Sequence, residues 1–154
     1  MQKLGDDIFT YFGLGCRNVS KIFVPQNYSF DNFFKNLESF RFVENHNKYF
    51  NNYTYHKAIF LMNNSTHLDN GFLILKEDLR LHSPLSCLFY SYYNNLNEVE
   101  NFINNNSDEI QIVLSQSEIN IPHIKFGNSQ NPELYSFADN VDTMSFLCNT
   151  LKNY

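Results

Sequence analysis

The sequence predicts an α/β protein of three layers, a mostly parallel sheet with flanking helices. Two patterns carry this prediction. Segments with apolar residues at helical spacing alternate with short β-rich runs, and those runs are apolar throughout instead of alternating, as in strands covered on both faces. The bulk numbers agree. A chain of 154 residues suits one domain burying roughly two thirds of its unfolded surface. With 43% hydrophobic and 17% aromatic residues it has the apolar content for a core, despite its many asparagines.

Along the chain, Asp6 to Phe12 places Ile8, Phe9, Tyr11 and Phe12 as a short one-sided helix, stopped by Gly13 and Gly15. Cys16 falls in the turn that follows, and "KIFVP", Lys21 to Pro25, reads as a buried strand ended by proline. Ser29 and Asp31 suit the start of a helix carrying Phe30, Phe33, Phe34 and Leu37. A second long helix is predicted over Lys48 to Met62, with Tyr55, Ile59 and Met62 on its apolar face. "NGFLILK" and "SCLFYSYY" read as strands. "NNLNEVENFINN" reads as an amphipathic helix with Leu96, Val99 and Ile103 inward, and "EIQIVLS" as one more strand. The tail "NVDTMSFLCNTL" closes with a helix capped by Asn140 or Asp142, its face formed by Met144, Leu147 and Leu151. No internal boundary divides the chain.

Eleven Lys and Arg stand against sixteen Asp and Glu, and no basic stripe forms, which argues against nucleic acid as a partner. Asp6 and Asp7 lie where a signal peptide needs cations, and no apolar window reaches membrane-spanning length, so no membrane span and a cytoplasmic location are expected. Three separated cysteines do not suggest a disulfide framework, and the five histidines lack metal-ligand spacing, so no metal is expected.

A cysteine is most often a small buried hydrophobe. Cys87, inside an apolar strand, and Cys148, on the inner face of the last helix, are read that way. Cys16 differs. Gly13 and Gly15 allow close backbone approach by a ligand, and the cations Arg17 and Lys21 would favour thiolate over thiol. His46, Tyr49, Asn52 and Tyr53 form a candidate pocket elsewhere, while Asp6-Asp7 and Glu77-Asp78 suit a helix start and a strand end better than an acid/base pair.

The segment "GLGCRNVSKIFVP" resembles the nucleophile segment of the aldehyde dehydrogenase superfamily, in which a glycine-flanked cysteine precedes a cation and an apolar strand. With "DDIFTYF", "HNKYFNNYTYHKAIFLMN", "NGFLILKED", "SPLSCLFYSYY" and "FADNVDTMSFL", in order, the whole chain is similar to the C-terminal half of acyl-CoA reductases related to the bioluminescence fatty acid reductase. The resemblance implies the catalytic-domain fold of aldehyde dehydrogenases. It implies Cys16 as the nucleophile that takes an acyl group from acyl-CoA or an acyl-carrier thioester, with its own backbone N–H as an oxyanion donor and Arg17 and Lys21 in support. It implies reduction of the acyl-enzyme to a fatty aldehyde by NADPH, with the dinucleotide-binding half missing here and supplied by a complementary N-terminal chain. At the place of the family's ribose-binding glutamate this chain has Arg80. The competing expectation is an inactive remnant serving as a binding or homo-oligomerisation module, since a half cut from its partner exposes apolar surface.

Overall fold

The computed structural model describes residues 2–137 and 141–151. Its centre is a four-stranded mixed sheet in the order β1-β4-β3-β2, where β1 is Lys21–Pro25, β2 Leu68–Asp69, β3 Ile74–Glu77 and β4 Cys87–Tyr93. β4 runs parallel to both β1 and β3, with Lys21 opposite Phe89 and Ile74 opposite Cys87. Only the two-residue β2 is antiparallel, against β3. Strands β1, β3 and β4 lie where the apolar runs place them. The run "EIQIVLS" does not join the sheet, and its sole β contact among the described residues is an isolated bridge from Leu114 to Ile124.

Alternation along the strands sends Val24, Leu75, Leu88 and Tyr90 to one face, where they pack with Leu4, Ile8 and Phe9 of α1 (Gln2–Phe9) and Phe33 and Leu37 of α2 (Asp31–Leu37). The opposite face carries Phe23, whose ring meets Phe102 of α4 (Leu96–Asn105) edge-on at 5.3 Å. Helices thus flank the sheet on both faces.

The first helix begins earlier than its apolar pattern suggests and ends at Phe9, with a tight turn over Thr10–Gly13 in which Tyr11 and Phe12 take left-handed backbone angles. Leu4 lies one turn before Ile8 on the buried side, which extends the helix backwards. The long helix α3, Asn47–Met62, forms as predicted but presents a different face. Tyr49 and Tyr53 are buried, while Tyr55 and Met62 are 61% and 81% exposed. The choice is made by hydroxyl partners: Tyr49 Oη donates to the Phe72 carbonyl at 2.9 Å, and Tyr53 Oη donates to Asp69 at 2.7 Å. These bonds pin α3 to the chain entering β3.

The final helix α5, Thr143–Leu151, starts at Asp142, whose carboxylate accepts from the Ser145 N–H at 3.0 Å; Asn140 lies outside the described residues. Met144, Leu147 and Cys148 are exposed, so the cysteine read as inner is not packed. Among the described residues no helix is long and apolar enough to cross a membrane.

Where α1 meets the segment after α2, a Cβ at Gly5 would stand 2.2 Å from the ring of Phe40. Because Phe40 itself stacks on Phe9 at 5.3 Å, the ring has little freedom to withdraw. Gly5→Ala is therefore expected to lower stability by about 2 kcal/mol, an overpacking cost, read as a drop in urea midpoint with the slope unchanged.

Candidate functional site

Cys16 is exposed and sits on the turn Gly15–Asn18, closed by the Asn18 N–H donating to the Gly15 carbonyl at 3.1 Å. The Asn18 side chain holds this turn against the end of α1. Its Nδ2 donates to the carbonyls of Asp7, Ile8 and Thr10 at 3.2, 3.1 and 2.9 Å, and its Oδ1 accepts from the Gly15 N–H at 2.6 Å. These are carbonyls that a helix end leaves without partners in the helix. Among the described residues the Cys16 N–H makes no hydrogen bond.

Cys16 lies on the rim of a cavity of about 420 Å³. One wall is the whole of β1, which is an edge strand, and the facing wall is the segment 109–117; Val99 and Ile103 of α4 contribute to the lining. Sequence reasoning read segment 109–115 as a sheet strand. It is instead the apolar far wall of this space, with Ile110, Ile112 and Leu114 on the lining.

The two cations expected beside the thiol are engaged elsewhere. Arg17 Nη2 donates to the Ser136 carbonyl at 3.4 Å. Lys21 Nζ donates to the Asp78 carbonyl and to Ser91 Oγ, the latter at 2.5 Å, which ties β1 across β4. Burial lowers the Lys21 ammonium to about 8, and the nearby Asp78 and Glu77 oppose that shift only in part. Asp78 itself is held well below the usual carboxylate range, first by its bond from Arg80 and then by Lys76, against the effect of burial. Arg80 is thereby committed to a structural ion pair.

His46, Tyr49, Asn52 and Tyr53 do not assemble a pocket. The His46 ring accepts from the Tyr49 N–H at 3.3 Å as the cap of α3, Asn52 bonds back to the Lys48 carbonyl, and both tyrosines belong to the core. Burial also pushes the Cys87 thiol up to about 12, so that cysteine is inert packing. Among the described residues no group of three or more His, Cys, Asp or Glu side chains could hold a metal.

A dinucleotide does not fit what is described. The turn from β1 to α2 contains no glycine, and at the start of α4 the Glu98 carboxylate already accepts from the Asn94 N–H at 3.0 Å, where a pyrophosphate would need free donors. No protein-family model, curated protein or solved structure matches this chain.

The residue that sequence reasoning missed is Asn18. The available signal was its spacing: an asparagine three residues after Gly15, just past a helix end, is placed for side-chain bonds to local backbone.

Lys21 gives this region a pH signature. Between its folded value near 8 and its ordinary 10.5 the unfolded chain binds more protons than the folded one, so this lysine adds stability as pH rises through that window. Urea unfolding at pH 7 and pH 9.5 should show the wild-type chain gaining on Lys21→Met at the higher pH; a difference that stays constant would contradict the burial.

Proposed function

We propose that this chain is the thiol-bearing catalytic half of an acyl-CoA reductase of the aldehyde dehydrogenase superfamily, with a catalytic-domain fold of that kind. The observation carrying the proposal is the place of Cys16: exposed, on a turn where its N–H has no partner among the described residues, at the rim of an apolar cavity. The sequence resemblance supplies the reaction.

In this reading the fatty acyl chain enters between β1 and the wall at 110–114, where each buried methylene contributes about 0.8 kcal/mol. The Cys16 thiolate attacks the thioester carbonyl, and the oxygen that becomes negative is held by the Cys16 N–H. The new carbon–sulfur bond forms, the old one breaks, and the coenzyme A or carrier thiolate leaves and takes a proton from solvent. The product is an acyl-enzyme. Delivery of hydride from NADPH, which the resemblance implies, is not assigned to residues of this chain, because those described do not fit a dinucleotide.

A binding or oligomerisation module is the second reading, and one observation favours it. Leu134 and Tyr135, and Met144 and Phe146 of α5, are 87%, 80%, 71% and 62% exposed, and exposed apolar side chains of this size favour association.

Incubation with a long-chain acyl-CoA should add one acyl group to the intact mass, lost in Cys16→Ala and retained in Cys87→Ala. An adduct indifferent to Cys16 would sink the catalytic reading. Size-exclusion chromatography over a range of concentrations judges the other: elution that shifts with concentration supports the module, and a monomer throughout counts against it.

A further inference from the structure

We infer, resting on the acyl-transfer reading, that Asn18 is the positioning residue of this site, locking the Gly15–Asn18 turn so that the Cys16 N–H stands free for a developing oxyanion. The argument is one of accounting. Around Cys16 the backbone must end a helix, reverse and enter β1, a course that leaves carbonyls and N–H groups without helical partners. One side chain meets both needs at once: Asn18 Nδ2 takes the carbonyls of Asp7, Ile8 and Thr10, and Asn18 Oδ1 takes the Gly15 N–H at 2.6 Å.

Only an amide can do this. Serine is too short to offer a donor and an acceptor at opposite ends, and aspartate would turn a carboxylate oxygen toward three carbonyls. Gly15 N–H is consumed and Asn18 N–H closes the turn on the Gly15 carbonyl; the two N–H groups between them, of Cys16 and Arg17, have no partner among the described residues, and that of Cys16 is the one on the residue that carries the thiol. A donor that is held fixed but unspent beside the nucleophile is what stabilisation of a tetrahedral oxyanion requires, since no reorganisation is then needed at the moment of attack.

Two reagents separate positioning from mere accessibility. p-Nitrophenyl acetate acylates a thiolate through a tetrahedral oxyanion and releases p-nitrophenolate. Iodoacetamide alkylates the same sulfur by direct displacement of iodide, with no oxyanion to stabilise. Both rates are measured in a Cys148→Ser background, because Cys148 is exposed; Cys87 is buried and stays silent.

In that background Asn18→Ala should lower the ester rate by about 100-fold, the scale of losing one oxyanion donor, while the alkylation rate holds. Asn18→Asp should behave similarly despite keeping an acceptor for Gly15. Parallel loss of both rates, or no loss of the ester rate, overturns the inference. If Asn18→Ala does not fold, amide hydrogen exchange on the unaltered chain decides: Gly15 N–H slow and Cys16 N–H fast is the expected pattern, and a protected Cys16 N–H refutes it. Neither reagent is a coenzyme A thioester, so failure of acyl-CoA to label Cys16 would tell against the proposed function alone.

Discussion

The carboxylate of Asp7 is 1% exposed, and the ground around Cys16 is organised on it. No cation is bonded to it among the described residues; it accepts instead from the backbone N–H groups of Gly127 and Ser129, at 2.6 and 3.0 Å. A buried carboxyl group is tolerated only when its oxygens find hydrogen-bond partners, so the loop at 127–129 is obliged to lie where it does, 120 residues away in sequence. The main-chain carbonyl of the same residue accepts from the Val19 N–H and from Asn18 Nδ2. One residue thereby fixes the end of α1, the cysteine turn and a distant loop. Phe126, next to that loop, packs against the core and lines the cavity. Removing the carboxylate would leave the Gly127 and Ser129 N–H groups without their acceptor, while the main-chain carbonyl that holds Val19 and Asn18 would stay in place.

The same constraint explains why the cavity opens where it does. Val19 is held beside α1, so the chain enters β1 at the border of the sheet, and among the described residues β1 has β4 as its only strand neighbour. Lys21 then binds β1 inward, its Nζ reaching Ser91 of β4 and the carbonyl of Asp78. On the outward side the segment at 110–114 stands across a gap instead of completing a fifth strand. A cysteine a few residues ahead of such an edge has an apolar space beside it without any special pocket-building loop.

What could be read from the sequence followed from which signals were backbone-local. β1 was legible to the residue because β-branched and aromatic residues ended by Pro25 leave few alternatives. The cysteine turn was legible from its glycines. The face of α3 was not, because a tyrosine is apolar in its ring and polar at its tip, and burial of Tyr49 and Tyr53 depends on the Phe72 carbonyl and Asp69, partners that only the fold supplies. "EIQIVLS" carries the composition of a strand, but a strand also needs a neighbour within hydrogen-bonding distance, and composition cannot show one. Cys148 was misplaced for a related reason: Met144, Leu147 and Cys148 of α5 are exposed, so the apolar spacing of that helix does not mark a buried face. Arg17 and Lys21 were read as partners of the thiol by proximity in sequence, whereas charges settle on whatever acceptors the folded backbone presents.

The turn that delivers Cys16 also stores strain. Tyr11, Phe12 and Gly13 have φ of 54°, 56° and 75°, and only the last is a glycine. Left-handed geometry costs an ordinary residue about 1–2 kcal/mol, so two consecutive aromatics there need compensation. It comes from contacts that hold the chain in the reversed path. The Phe12 ring stacks on His46 at 4.0 Å, and Asn18 meets the Thr10 carbonyl just ahead of the turn. A continuing right-handed helix would carry the chain away from Asp7, and the Val19 N–H could not return to its carbonyl. The strain at 11–13 is therefore the geometric consequence of folding the cysteine back beside the helix that precedes it. Because His46 also caps α3, the reversed turn ahead of the thiol touches the start of α3 as well as the end of α1.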